Sequence, residues 1–189
     1  MSFIKLSSIN SILIGFFFSL AFQIILTGVA FSQDLSNMSD FVTTNFFHNS
    51  ARVVQDGNSN LADIFQSSDF SRESGHYAEI KQDGFDNQAM INQSGDHNGA
   101  RINQIGDSSY TNASQTGFAN SADIIQMGNG NTLYSIQTGN NNSIIISQPG
   151  LATATLVEIG NNNIINAKQV IGSTINVRLE GNNKMATVH

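Results

Sequence analysis

Residues 87–108 read NQAMINQSGDH NGARINQIGDS, which is two successive units of eleven residues in one phase. In each unit an asparagine is followed six residues later by a glutamine, and a glycine comes two residues after the glutamine. The glutamine recurs at this interval over seven consecutive units, at Gln82, Gln93, Gln104, Gln115, Gln126, Gln137 and Gln148. This period identifies a repeat protein with the unit Asn-x-Ala-x-Ile-x-Gln-x-Gly-x-x.

The repeat extends beyond these seven units, with faults, from Asn49 to Val188, and we count thirteen units. Five extra residues lie within 69–75, and one residue is missing before Glu158, which occupies the glutamine position. The last two units are degenerate: Leu179 stands in the glutamine position, and Lys184 opens a truncated unit.

An eleven-residue period also suits a right-handed helical coiled coil, because it corresponds to 3.67 residues per turn. The spacing inside the unit argues against a helix, since Ala89 and Ile91 are two residues apart, as are Ala100 and Ile102. A glycine and several asparagines in every unit would further destabilise a helix. The unit therefore predicts a strand followed by a turn.

Alternate residues of a strand share one face, so the Asn, Ala, Ile and Gln of each unit point the same way. One short strand cannot bury its Ala and Ile alone, but the glycine allows a turn that lays the next unit against it. Two units form one coil of about 22 residues, and coils stack about 4.8 Å apart. The predicted fold is all-β, a β-solenoid of stacked strand-turn-strand coils with an amyloid-like cross-β arrangement.

Stacking identical units places amide above amide in the interior, where each side chain can bond the ones above and below. Gln93, Gln115 and Gln137 are predicted to form one row, and Gln82, Gln104, Gln126 and Gln148 the other. The full predicted set of inward amides is Gln55, Gln66, Gln82, Gln93, Gln104, Gln115, Gln126, Gln137, Gln148, Gln169, Asn49, Asn60, Asn87, Asn98, Asn120, Asn131, Asn142 and Asn163. The predicted turn glycines are Gly57, Gly84, Gly95, Gly106, Gly117, Gly128, Gly139, Gly150, Gly160 and Gly181.

The segment before the repeats has the features of a targeting signal. Residues 1–32 carry Lys5, an apolar run and the small-residue site Ala30-Phe31-Ser32, which predicts a secretory signal peptide cut before Gln33. The alternative is a membrane anchor, because the apolar run is long enough to span a bilayer. We therefore divide the chain into a signal peptide (1–32), an N-terminal export or leader segment (33–48) and the repeat solenoid (49–189).

Composition excludes several classes of protein. The net charge of −6 argues against nucleic-acid binding, and the absence of cysteine excludes disulfides and thiol chemistry. Asparagine and glutamine number 24 and 13 of 189 residues, an unusual composition for an enzyme. The four histidines lack metal-ligand spacing, and we expect them to be solvated turn residues. No catalytic constellation, cofactor site or metal site is predicted.

The phased unit resembles the curlin repeat of curli subunits, the secreted functional amyloid of Gram-negative biofilms. This resemblance implies subunits that stack end to end into extracellular fibres at the bacterial outer surface (pilus or fimbrium), supporting adhesion and biofilm formation. The implied partners are the chain itself and paralogous curli subunits, periplasmic chaperones, an outer-membrane secretion channel and the cell surface. The degenerate C-terminal units resemble the minor subunit, the nucleator of polymerisation, more than the major subunit.

End-to-end stacking is also predicted without the resemblance. The first unit has no obvious polar cap, so the ends of the solenoid should recruit further strands. Two alternatives from other classes stay open. A monomeric β-solenoid adhesin or binding protein would need an outward row of one residue type, whereas Met90, Arg101 and Asp123 share no chemistry. A disordered amide-rich chain would explain the composition but not the phase.

Overall fold

A computed structural model describes residues 28–31, 38–44, 49–68 and 75–189, and the side chains of the last two ranges. The described residues form fifteen strands and no helix. Their bounds are β1 Gly28–Phe31, β2 Met38–Thr44, β3 Ser50–Asp56, β4 Leu61–Ser68, β5 Tyr77–Asp83, β6 Gln88–Asp96, β7 Gly99–Ile105, β8 Tyr110–Phe118, β9 Ser121–Met127, β10 Thr132–Asn140, β11 Ser143–Gln148, β12 Thr153–Asn161, β13 Ile164–Lys168, β14 Thr174–Glu180 and β15 Met185–Val188.

The strands alternate between two sheets. One sheet has the order β1-β4-β6-β8-β10-β12-β14, and the other has the order β15-β13-β11-β9-β7-β5-β3-β2. From β3 onward every pair within a sheet is parallel and joins units two apart, so that Gln93 lies opposite Gln115 and Gln104 opposite Gln126. The predicted fold class, an all-β solenoid with a coil of about 22 residues, is confirmed.

The core lies between the two sheets and is built from the apolar pair of each unit. In β5 and β9 every second residue is buried, beginning with the alanine. Ala78, Ile80, Ile102 and Ile124 are all almost completely buried, and they belong to one continuous apolar cluster. The period-two pattern thus places Ala and Ile inward from both sheets, because neither sheet alone can remove these side chains from water.

The turn glycines hold the coils at their close spacing. Gly139 has a φ of +118°, and a Cβ built on it would lie 1.9 Å from the carbonyl oxygen of Gly160 in the next layer. A residue with a side chain would therefore meet both an unfavourable backbone conformation and a backbone clash. Glycine at this position is required by the stacking itself.

The two irregularities of the repeat fall between strands. Equivalent glutamines are 22 residues apart in the regular layers, but Gln55 and Gln82 are 27 apart because the insertion precedes β5. Gln148 and Gln169 are 21 apart because the turn between β11 and β12 is one residue shorter. The insertion itself (69–75) lies outside the described residues apart from Gly75. Both sheets therefore keep their register despite the faults.

The first two strands differ from the rest. β1 pairs antiparallel with β4, and β2 pairs antiparallel with β3. β1 lies at the end of the predicted signal peptide, and β2 lies within the predicted leader. Residues 1–27 lie outside the described residues, so the signal peptide remains a prediction. The part of the chain that the structure describes contains no helix suited by length and hydropathy to cross a membrane.

Candidate functional site

Two rows of glutamine side chains run the length of the interior. In one row Gln66 Nε2 donates to Gln93 Oε1 at 2.9 Å, and the same bond is repeated to Gln115 and Gln137 at 2.8 Å. In the other row it is repeated from Gln55 through Gln82, Gln104, Gln126 and Gln148 to Gln169, at 2.7–2.9 Å. We call these two rows the glutamine ladders.

From Gln66 to Gln169, each glutamine also donates from Nε2 to a backbone carbonyl of the opposite sheet. Gln115 Nε2 donates to the carbonyl of Gly99 at 2.9 Å, and Gln137 Nε2 donates to that of Ser121 at 2.9 Å. These side chains are almost completely buried. A buried amide without partners would cost on the order of 1–3 kcal/mol for each unmet group, so the paired bonds are what make a polar interior tolerable.

The inward asparagines bond mainly to backbone, and Asn120 and Asn142 also donate from Nδ2 to the Oδ1 of the asparagine one layer earlier, each at 3.0 Å. Asn120 Nδ2 donates to the Gly139 carbonyl at 2.8 Å, and Asn120 Oδ1 accepts from the backbone N–H of Asn142 at 3.1 Å. The asparagines with the same bond from Nδ2 to a turn glycine of the next layer are Asn60, Asn87, Asn98, Asn142 and Asn163. The turn glycines themselves all have positive φ: Gly57, Gly84, Gly95, Gly106, Gly117, Gly128, Gly139, Gly150, Gly160 and Gly181.

Two asparagines depart from this pattern. Asn131 faces the shortened turn, so its Oδ1 accepts from the backbone N–H of Gly150 at 2.9 Å. Asn49 lies beside the insertion, and its Nδ2 donates to Ser68 Oγ at 3.4 Å. Both side chains remain buried. All eighteen predicted inward amides are therefore buried, and the repeat's faults change only their bonding partners.

His76 occupies an asparagine position, and the expectation that it is a solvated turn residue is wrong, because only 1% of its surface is exposed. Its Nδ1 accepts from the backbone N–H of Asn98 at 3.2 Å, and its Nε2 lies 3.0 Å from the Ser67 carbonyl. Burial lowers the pKa of the imidazole, which the hydrogen bond to the Ser67 carbonyl partly offsets. The ring is thus a neutral substitute for the asparagine amide, with one acceptor and one donor.

Glu158 occupies a glutamine position and is completely buried. Gln137 Nε2 donates to its Oε2 at 2.9 Å, whereas its Oε1 has no hydrogen-bond partner. Burial raises the pKa of this carboxyl to about 7, against the opposing effect of the Gln137 bond. The next residue of the row is Leu179, opposite Glu158 in the register, so this glutamine ladder ends before the last strand.

An ion-pair row on the outer face was not foreseen. Glu79 accepts from Arg52 at 2.8 Å and from Arg101 at 3.0 Å. Hydrogen bonds from Tyr77 and the two arginines lower the pKa of Glu79 against the effect of burial. Arg52 and Arg101 are 27 and 22 residues from Glu79 in the sequence. The row could therefore be found from the sequence only by applying the register of the folded repeat to the outward positions.

Parallel strands in two facing sheets, with amide ladders between them, define the class: a repeat β-solenoid stabilised by stacking. Residues 76–106, 106–134 and 119–150 each match the family model of the curlin associated repeat. These matches lie within residues 76–150 and support a subunit of the curli family. No curated protein and no solved structure was found to match the chain.

Curlin-repeat proteins form extracellular surface fibres of functional amyloid by self-assembly with other curli subunits, which supports a curli subunit and an extracellular location. Its repeat and its fold are structural and not enzymatic. The amide ladders are then the candidate functional site, since they are the feature that one subunit could continue into the next.

Proposed function

We propose that the chain is a curli subunit of the minor type, which nucleates fibre polymerisation at the cell surface. The observation that supports this role is the contrast between the middle and the end of the array. The glutamine positions are regular from Gln82 to Gln148, but afterwards Glu158 and Leu179 replace glutamines, and Lys184 replaces an asparagine. A major subunit has to continue its ladders at both ends, whereas a nucleator needs only one such end.

The proposal includes the route to the surface. The signal peptide (1–32) directs general secretion, and the leader (33–48) directs the chain to the outer-membrane channel while periplasmic chaperones keep it unfolded. The predicted inward amides serve assembly: once outside, the array folds, and its exposed edge orders the first strands of a fibre that supports adhesion and biofilm formation. A strand edge with unmet N–H and C=O groups is a template for such pairing.

The test is to dilute the form beginning at Gln33 out of denaturant, alone and at a low ratio into a major curli subunit. We expect the low ratio to abolish the lag in thioflavin T fluorescence of the major subunit. Fibres of the chain should give reflections near about 4.7 and 10 Å. Fibres without an effect on the partner would favour the major-subunit alternative. A stable β-rich monomer that neither assembles nor seeds would refute the proposal in favour of a monomeric solenoid adhesin or binding protein.

A further inference from the structure

The glutamine ladders have a direction. In all nine bonds of the two rows, the Nε2 of the residue earlier in the chain donates to the side-chain oxygen of the later one. Each glutamine oxygen is therefore satisfied from the N-terminal side. The first glutamine of a row has no such donor within the array. In the row that begins on β4, the oxygen Oε1 of Gln66 is buried and has no hydrogen-bond partner among the residues that the structure describes.

The asparagine positions also distinguish the two ends of the array, but here the side-chain oxygen faces the later layer and accepts from its backbone. Asn60 Oδ1 accepts from the backbone N–H of Asn87 at 3.0 Å, and Asn98 Oδ1 accepts from that of Asn120 at 3.0 Å. The bonds to the turn glycines also point toward the later layer. A strand added before β4 would therefore have to supply a glutamine donor for Gln66 and an asparagine acceptor for the backbone of Asn60.

The C-terminal end of this chain does not have that chemistry. On β14, the last strand of the same sheet, Leu179 occupies the glutamine position, and Ser173 occupies the asparagine position just before the strand. Leucine cannot donate to Gln66 Oε1. Two copies of this chain stacked end to end would bury that oxygen against an apolar side chain, which is unfavourable for a polar group.

The strand β1 does not complete the ladder either. It covers β4 only from Leu61 to Ile64, so that Gln66 lies beyond the paired stretch. It runs antiparallel, opposite to every other neighbour in its sheet, and it is absent from the form that begins at Gln33. In the other sheet β2 covers β3 as far as Gln55, and β2 remains in that form. The free edge is thus that of β4.

We propose that the β4 edge binds, parallel and in register, the last strand of a paralogous chain whose final unit keeps both its asparagine and its glutamine. The partner's glutamine donates to Gln66 Oε1, and its asparagine accepts from the backbone of Asn60. This docking model rests on the proposed function. It adds that the nucleator uses its β4 edge and that the last strand of the partner must contain the asparagine and the glutamine of the repeat. Leu179 disfavours a further copy of this chain as the occupant, because it leaves Gln66 Oε1 without a donor.

The first experiment supplies the missing donor within this chain. We compare the form beginning at Gln33 with its Ser173→Asn/Leu179→Gln variant by the soluble concentration in equilibrium with sedimented assemblies. Because one buried acceptor is satisfied at each junction, we expect a decrease of about tenfold in the variant. The matched control is Ser173→Asn/Arg178→Gln, which adds a glutamine to the outer face of the same strand and should not change the value.

The dependence on the acceptor is tested by adding Gln66→Leu to the Ser173→Asn/Leu179→Gln variant. The decrease should be lost, while far-UV circular dichroism after dilution reports whether the array still folds. A decrease that persists without Gln66, or one that Arg178→Gln reproduces, would overturn the proposed junction. A variant that shows no decrease while its β signal is intact would overturn it as well.

A cross-link tests the geometry independently, and the chain contains no cysteine to interfere. Phe65 and Arg178 occupy the same outward row, since the register runs Phe65, Asn92, Ser114, Ile136, Val157, Arg178 through the sheet. Docking on β4 places residue 178 of one chain at about 4.8 Å from residue 65 of the next, within the range for a disulfide.

We therefore mix a Phe65→Cys chain with an Arg178→Cys chain that also carries Ser173→Asn/Leu179→Gln, and oxidise the mixture. The expected product is the mixed dimer. The control replaces Phe65→Cys by Asn92→Cys, one strand further from the edge, and should give no mixed dimer. Equal yields would refute the docking edge. Failure of the unmodified chain to seed a major subunit would instead refute the proposed function, so the two outcomes are separable.

Discussion

Replacing the buried carboxyl of Glu158 by an amide should remove a pH dependence from the stability of the array. A carboxyl whose pKa is raised by folding from 4.5 to about 7 holds its proton in the folded chain over a range where the unfolded chain has lost it. Its contribution is therefore fully present below pH 4.5 and is lost as the pH rises to about 7. The groups that face Glu158 are Gln137 on β10, Leu179 on β14 and the backbone of Ile165 on β13, none of them charged.

The magnitude follows from the size of the shift. The shift of about 2.5 pKa units corresponds to a decrease of about 3 kcal/mol in the free energy of unfolding between pH 4.5 and pH 7. The geometry explains the sign. Gln137 Nε2 donates to Ser121 in its own layer, and the equivalent carbonyl in the layer of Glu158 is that of Ser143. A protonated Glu158 can donate a hydrogen bond as glutamine does, whereas a carboxylate cannot.

The assay is guanidinium chloride unfolding followed by far-UV circular dichroism, at pH values below 4.5 and above 7, for the native sequence and for Glu158→Gln. We expect the Glu158→Gln variant to lack the decrease of about 3 kcal/mol. The control is Glu180→Gln, which changes the net charge equally at an exposed side chain and should retain the decrease. An unchanged pH dependence in Glu158→Gln would show that this carboxyl is ionised in the folded chain and would refute the reasoning.

Three further predictions use the same unfolding measurement. The lowered pKa of His76 destabilises the array as the pH falls below 6.5, and His76→Asn should remove that loss by restoring the usual amide. Gly139→Ala should cost at least about 2 kcal/mol because its Cβ meets the Gly160 carbonyl. Gly172→Ala, with nothing within 4 Å, should cost less; equal costs would contradict the stacking argument. Gln115→Leu leaves one donor and one acceptor of its neighbours unmet and should cost about 3 kcal/mol, whereas a cost near zero would mean that the ladder contributes nothing.

The period of the repeat was sufficient to predict the strands, the pairing of units two apart and the inward faces. The reason is that an identical unit, stacked on itself, has few alternatives: alternation fixes the face, and the glycine fixes the turn. The insertion and the deletion could be located in the sequence because each changes a single interval between units. The interval before Gln82 is longer than eleven residues and the one before Glu158 is shorter, and the eleven-residue period resumes after each.

The direction of the ladders was not predictable from the period, because an amide can point either way until its second hydrogen is committed to a carbonyl such as that of Gly99. The burial of His76 was missed for a different reason. A histidine is usually polar and solvated in a turn, but His76 lies six residues before Gln82, which is the buried asparagine position of the repeat. The antiparallel strands β1 and β2 lie outside the repeat, and no period applies to them.

Glu158 and Leu179 are best understood together, as the way in which one ladder ends. A glutamine at residue 158 would direct an amide hydrogen toward the next layer, where Leu179 offers no acceptor. The Glu158 carboxyl accepts from Gln137, and in its protonated form it has a single hydrogen, which the Ser143 carbonyl of its own layer can accept, so the apolar residue that follows strands no donor. In the middle of the row a glutamate would leave the following glutamine oxygen without its donor, and a leucine would break the bond on each side. The irregular residues of this chain are therefore concentrated where the direction of the ladder makes them least costly, at the end that the proposed partner does not use.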